Sequence, residues 1–222
     1  MLLKDKKVAI IGGGPGGLTL ARLLQLQDVQ VKVYERDLDK NARVQGSPLD
    51  LHDESGLAAI TKAGLLEEFK KHFMAGADRT VITNPQAEVL YSDHDHPKEE
   101  DFGHQYFRPE IDRGVLRRML LDSLKPGTVV WDSHFISMEA LQSMDAKSRM
   151  NPGTIPKDIQ ENPKEANQRD HHGWTMHFKN GNSAYADLVI AADGANSKLR
   201  PYVTDIKPFF SGITMLEGNV YD

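Results

Sequence analysis

The sequence contains no cysteine. That excludes disulfides, zinc thiolate sites and thiol nucleophiles, and it leaves the redox compartment unread. No run of eighteen apolar residues occurs, so no transmembrane helix is expected. Met1 to Lys7 is too short and too polar for a signal peptide, and a strand pattern begins at once. Basic residues are not in excess: 27 Lys and Arg stand against 32 Asp and Glu, a net charge of −5. Nothing here supports a nucleic-acid partner or an anionic membrane surface. Internal repeats are also missing. The expectation is a soluble, cytoplasmic protein, whose 222 residues suffice for one large or two small domains with a sizeable core.

What is present concentrates first in the opening stretch, Lys7 to Glu35. Val8 to Ile11 is a short apolar run rich in β-branched residues, as expected of a buried parallel strand. It ends in Gly12-Gly13-Gly14-Pro15-Gly16-Gly17, which holds G-x-G-x-x-G at Gly12, Gly14 and Gly17. A helical segment follows, with Leu18, Ala21, Leu24 and Leu26 as candidate core positions. A second strand, Val29 to Tyr34, leads into Glu35. The glycines serve a tight turn, close approach of backbone to a pyrophosphate, and close packing of helix on strand. Free N–H groups and the dipole at the helix start favour a diphosphate there. Glu35 lies eighteen residues after Gly17, where a carboxylate can bond a ribose hydroxyl. A glycine turn without a ligand is the alternative. Strand, glycines, helix, strand and acid in this order argue against it.

The middle of the chain reads less sharply. Arg36 to Lys40 is a polar turn, and Arg43 to His52 reads as an irregular loop. Asp53 to Gly64 reads as a helix capped by Asp53 or Ser55, with Leu57, Ile60 and Ala63 on one face. Leu65 to Phe73 continues as a second helical piece. Thr80 to Ile82 and Val89 to Tyr91 flank Asn84-Pro85-Gln86, consistent with a hairpin. Ser92 to Gly103 is acidic and reads as a solvated loop. Pro109 to Leu124 reads as a helix with Asp112 as cap and Leu116, Met119, Leu120 and Leu124 as its apolar face. Thr128 to Trp131 and Phe135 to Met138 read as strands. Ser143 to His172 is polar throughout and cannot repay its ordering entropy, so it reads as a mobile insertion between two strands. Asn180-Gly181 marks a hairpin turn between Trp174 to Phe178 and Ser183 to Tyr185.

A second motif lies in ADLVIAADGANSKLRPY, Ala186 to Tyr202. Leu188 to Ala192 reads as a buried strand running into Asp193-Gly194-Ala195, with Ser197, Arg200 and a short helix beyond. A strand end followed by Asp-Gly and a helix start is again a place where backbone can approach a phosphate or ribose. On its own Asp193-Gly194 is also an ordinary turn.

These stretches together resemble the FAD-dependent aromatic hydroxylases, the class A flavoprotein monooxygenases. The resemblance is carried by the glycine motif with Glu35-Arg36, the Arg117-bearing PEIDRGVLR segment, LDLH and DLVIAADGANSKLR. It is strongest to the tetracycline-inactivating members, and it spans nearly everything but the polar insertion. It implies an α/β fold: a Rossmann-like FAD-binding domain with a parallel central sheet and small antiparallel β-hairpins. The FAD-binding domain would cover 1–210, with substrate-side sheet near 78–108, and 211–222 would begin a β-sheet substrate domain. The cofactor implied is FAD, with NADPH as electron donor and molecular oxygen and a small molecule as substrates. The chemistry implied is hydroxylation of a small aromatic or polyketide-like molecule, tetracycline among the candidates, through a flavin C4a-hydroperoxide. Carried over by position, Gly12, Gly14, Pro15, Gly16 and Gly17 would cradle the pyrophosphate. Glu35 would hold the adenosine ribose and Arg36 would lie near the adenine. Arg43 would approach the flavin or ribityl, and Arg117 would contact FAD from its helix. Asp193 and Gly194 would contact both FAD and NADPH. For Arg43 and Arg117 the alternative is a surface ion pair. No catalytic residue is assigned.

One departure limits the reading. The family's further Gly-Asp motif, in a G-D-A-x-H setting, is missing, and Gly212 to Val220 reads as the first strand of a substrate domain. The alternative function is therefore a truncated, non-catalytic FAD-binding fragment. A plain NAD(P)-binding short dehydrogenase is disfavoured, because no Tyr has Lys four residues on. His94, His96 and His104 with Asp93 and Asp95 match no metal-ligand spacing, and no metal is expected. Asp132-Ser133-His134 is contiguous and so is not a hydrolytic triad. Trp131 and Trp174 read as core or sheet-face residues.

Overall fold

The apolar run after Lys6 becomes a strand that is covered on both faces, and the rest of its unit is arranged around it. The computed structural model describes residues 2–42, 47–77, 79–94, 101–104, 106–141 and 173–214. Its strands, in chain order, are β1 (Lys7–Ile11), β2 (Gln30–Tyr34), β3 (Leu49–Asp50), β4 (Val81–Thr83), β5 (Val89–Ser92), β6 (Glu110–Ile111), β7 (Val129–Val130), β8 (Phe135–Leu141), β9 (Gly173–Phe178), β10 (Ser183–Ala186) and β11 (Leu188–Ala191). The helices are α1 (Pro15–Gln25), α2 (Ala58–Lys62), α3 (Leu66–Phe69) and α4 (Arg113–Asp122). Among the described residues two compact units result, one of 2–42 with 124–141 and 173–214, the other within 47–123. No helix among the described residues is long and apolar enough to cross a membrane.

In the first unit, four parallel strands pair in the order β11-β1-β2-β7. An antiparallel meander, β10-β9-β8, forms a second sheet. Ala9 and Ile11 join Phe135, Met176, Phe178, Ala184 and Ala186 in one buried cluster, so this face of β1 packs on the meander. Tyr34 stacks on Phe178 at 4.9 Å. Val8 and Ile10 alternate to the opposite face, where α1 buries Leu18 and Ala21. Helix, parallel sheet and meander thus form three layers, and a strand between two layers must be apolar at every position.

Two expected core positions move. Leu26 lies just past α1 and is 44% exposed, whereas Gln25 is buried. The face set by Leu18 and Ala21 reaches Gln25 by helical spacing, not Leu26. The Gln25 amide is satisfied there: Nε2 donates to Thr128 Oγ1 at 2.7 Å and Oε1 accepts from Lys125 N at 3.1 Å. Leu188, expected in a buried strand, is half-exposed because β11 ends the strand order among the described residues.

The turn from β10 to β11 is tied back to β1. Asp187 Oδ2 accepts from Lys7 N at 2.7 Å, and Oδ1 accepts from the Tyr185 hydroxyl at 3.0 Å. Burial first, then the bond and charge of Asp187, push the Tyr185 hydroxyl from 10.0 to about 12. A raised folded value means that the contribution is complete below pH 10 and is lost as pH rises towards about 12. Between those values the wild-type chain should therefore lose stability that Tyr185→Phe does not lose. Denaturant unfolding of both proteins at the two ends of that range checks it.

The second unit is built on short elements. β3 pairs antiparallel with β6, and β4 with β5. Leu57, Ile60, Ala63, Phe69, Phe107, Ile111, Leu116, Met119 and Leu120 are buried. Phe102 packs edge-on against Phe69, Phe73 and Phe107, so its own position is anchored, while residues 95–100 of the expected solvated loop lie outside the described residues. Val81, Ile82, Val89, Leu90 and Tyr91 leave the β4–β5 hairpin apolar and exposed.

Three local expectations change here. The segment after His52 starts with a π-helical turn (Asp53–Leu57), in which Leu57 N donates five residues back to His52 O at 3.0 Å. No side chain caps it, so neither Asp53 nor Ser55 has that role. Glu110 and Ile111, expected in the helix, are extended and pair with Leu49 and Asp50, expected in an irregular loop. Asp112 does cap α4, its carboxylate accepting from Val115 N at 2.8 Å. An N-cap residue is non-helical, which keeps the chain before it extended. Asp112→Ala should cost about 1 kcal/mol in urea unfolding. The expected insertion, Ser143 to His172, and residues 215–222, with most of the expected substrate-domain strand, lie outside the described residues.

Candidate dinucleotide-binding site

The three motif glycines occupy three different environments. Gly12 has φ +112°, and a Cβ there would strike the carbonyl of Ala192, with Ala192 C at 2.7 Å. A Cβ at Gly17 would strike the carbonyl of Gly12 and sit 3.2 Å from Ala192 Cβ, so α1 lies directly on the strand ends. Gly14 is different: a Cβ there, or at Gly16, would meet nothing within 4 Å. The turn and the helix contact demand Gly12 and Gly17, while Gly14 and Gly16 face open space among the described residues. Pro15 opens α1, and no side chain caps that helix start.

Glu35 follows β2 and is 4% exposed. Its Oε2 accepts from Gly13 N at 2.5 Å and its Oε1 accepts from Asp37 N at 3.0 Å. The carboxylate therefore fixes the glycine loop as well as facing a cleft. A carboxylate has about four lone-pair sites and can accept from more than two donors, a ribose hydroxyl among them.

That cleft, about 470 Å³, opens at the carboxyl ends of β11, β1 and β2. Its lining includes Gly12, Gly14, Glu35, Arg36, Asp193 and Gly194, all six of them singled out by sequence. β1 has its earlier partner β2 on one side and the late strand β11 on the other. Ligands of open α/β sheets bind at such a switch point, outside the carboxyl ends of the strands. Asp193 Oδ2 accepts from Lys198 N at 2.7 Å, while Oδ1 is buried without a hydrogen-bond partner. A buried acceptor left so is costly unless a ligand donates to it. Ser197 and Arg200 fold the same loop on itself: Ser197 Oγ accepts from Leu199 N and Arg200 N, and Arg200 Nη2 donates to Ala195 O at 2.7 Å. Neither lines the cleft.

Ser133, His134 and Phe135 line it too, and sequence reasoning missed them. Read as a sequence, Asp-Ser-His raises only the question of a triad. The usable signal is its place: it follows β7, a parallel neighbour of β2, and so leaves the sheet at the same edge. Arg117 belongs to the other unit. It is 3% exposed on α4, which rules out the surface ion pair. Arg43 lies outside the described residues.

The residues fit an FAD pyrophosphate and ribose. Side-chain-free space lies over Gly14 and Gly16, an uncapped helix start adjoins it, and Asp193 Oδ1 lacks a donor. Fold and site together define a dinucleotide-binding α/β unit. More narrowly, the chain belongs to the FAD binding domain family (FAD_binding_3), which matches residues 5–207. The monooxygenase asqM of Emericella nidulans is 30% identical over 216 residues, covering 94% of this chain and 43% of its own length. The 3-amino-4-hydroxybenzoate 2-monooxygenase PtmB3 of Streptomyces platensis is 30% identical over 217 residues, covering 96% and 46%. The chain thus spans less than half the length of these relatives. Among solved structures, a variant of HpxO from Klebsiella pneumoniae, complexed with FAD, superposes with a TM-score of 0.63 at 24% identity, covering 92% of this chain and 44% of that one. Tetracycline destructase Tet(55) does so with 0.63 at 20%, covering 92% and 42%. At those identities the likeness shows the fold.

Proposed function

We propose that this chain is the FAD-binding part of a monooxygenase that hydroxylates a small aromatic or polyketide-like molecule, with NADPH as electron donor. The observation that carries the reading is the convergence at one cleft of ligand-sized space over Gly14, the Glu35 carboxylate and the unpartnered Asp193 Oδ1. The names of the sequence relatives support the activity, and tetracycline stands as one candidate substrate through the fold shared with Tet(55).

In this reading the N–H groups of Gly14, Gly16 and Gly17 at the start of α1 hold the pyrophosphate over Pro15, aided by the helix dipole. Glu35 accepts from the adenosine ribose, and Arg36 lies at the adenine end. Asp193 Oδ1 takes a hydroxyl donor from the cofactor, and Gly194 lets its backbone approach. Asp193 and Gly194 would serve NADPH as well. Arg43 and Arg117 are the proposed flavin-side contacts. When bound, FAD supplies the redox and oxygen chemistry; the protein binds, orients and keeps water out.

The test is an absorbance spectrum of the purified chain with added FAD, followed by NADPH oxidation with and without tetracycline. Flavin bands near-stoichiometric with protein support the binding part. Colourless protein that cannot be reconstituted overturns it for these 222 residues. The second reading, consistent with the share of the relatives' length, is an FAD-binding chain without turnover. Bound flavin with no NADPH oxidation would select it.

A further inference from the structure

We propose that Asn180, at the tip of the β9–β10 hairpin, is a positioning residue for the adenosine end of this cleft. The inference rests on reading the cleft as an FAD site. Ser133 and His134 form its wall beside Glu35 and Arg36. They follow Asp132, which has φ +53°. A non-glycine residue adopts that left-handed conformation at a cost and keeps it only when its surroundings hold it there.

Two elements do the holding. From the parallel sheet, Asp132 N donates to Asp37 O and Ser133 N donates to Glu35 O, both at 2.8 Å. From the meander, Asn180 Nδ2 donates to Asp132 O at 2.7 Å and Lys179 N donates to His134 O at 2.9 Å. Of these four bonds, only the Asn180 bond comes from a side chain and can be removed by substitution. The other end of the same amide closes its own turn, Oδ1 accepting from Asn182 N at 2.9 Å. The acceptor shapes the hairpin; the donor fixes the carbonyl just before Ser133. Because Ser133 is bonded to Glu35 O, the donor also sets where the wall stands relative to the ribose carboxylate. A ligand's adenosine half then meets a wall that needs no ordering on binding.

Asn180→Asp separates the two roles. Its carboxylate still accepts from Asn182 N but has no hydrogen for Asp132 O. The experiment titrates FAD, ADP and FMN into wild-type and N180D chains in about 0.5 M salt, where the Debye length is about 4 Å and the added charge is screened. Amide exchange at Asp132, Ser133 and Asn182 is followed in parallel. FAD and ADP affinities should fall about three- to tenfold, as expected for one lost hydrogen bond. Exchange at Asp132 and Ser133 should quicken while Asn182 stays protected. FMN, which lacks adenosine, should be unaffected.

Wild-type affinity for ADP in N180D, or an equal loss for FMN, overturns the positioning role alone. Wild-type chain that binds neither FAD nor ADP overturns the reading of the cleft and the inference with it. Should Asn182 lose protection in N180D, Asn180→Gln, which keeps both donor and acceptor, decides. Recovered ADP affinity supports the role, and no recovery overturns it.

Discussion

Gly14→Ala should leave the chain folded and weaken FAD about ten- to a hundredfold, the effect of one misplaced methyl in a packed site. Its φ of −79° suits alanine, and the new Cβ meets nothing within 4 Å among the described residues. Only the ligand can object. Gly12→Ala should do the reverse and damage the fold itself. There the backbone is left-handed and the new Cβ falls on the Ala192 carbonyl, which cannot swing aside as a flexible side chain could. Strain of about 1–2 kcal/mol and overpacking of about 1–3 kcal/mol add. Urea unfolding and FAD titration of both variants check the division. Gly14→Ala protein that unfolds like Gly12→Ala would defeat it.

Glu35→Ala should cost about 2–6 kcal/mol, since it strips this side-chain acceptor from two backbone N–H groups, each loss worth about 1–3 kcal/mol. Those donors are Gly13 N and Asp37 N. Glu35→Gln should cost less in stability, but it turns an amide NH2 towards one of those donors. Both should weaken FAD and ADP and leave FMN alone, because the carboxylate serves the adenosine ribose. A Glu35→Ala chain with wild-type stability and no FAD binding would mean that this carboxylate serves the ligand only.

The opening motif was legible because each residue has a local reason. A buried parallel strand must be apolar, a strand-to-helix turn this tight must be glycine, and the acid follows one helix and one strand later. The separate reasons for the three glycines were legible, but the surface that Gly12 and Gly17 meet was not, since it includes Ala192, far along the chain. Glu35 was legible as an acid in the right place, but its grip on Gly13 N was not, for that needs the loop's path. Arg117 shows a different limit. Arginine is usually exposed, so residue type argued for a surface pair, and only the packing of α4 buries it. Ser133 and His134 were hidden by a wrong question, catalysis instead of position at a sheet edge. Leu26 failed by one step of helical phase, and Gln25 took its place because Thr128 and Lys125 satisfy its amide.

The meander carries a consequence of another kind. Leu141 at the end of β8 is the register partner of Gly173 at the start of β9. Whatever length of chain joins them, its ends are already adjacent. Closing a ring of chain costs entropy that grows only with the logarithm of its length, so doubling the stretch adds about 0.6 kcal/mol. As far as closing the meander is concerned, changes in the length of that stretch therefore cost little. Between Gly12 and Gly17, where a single methyl would strike backbone, the chain has no such latitude.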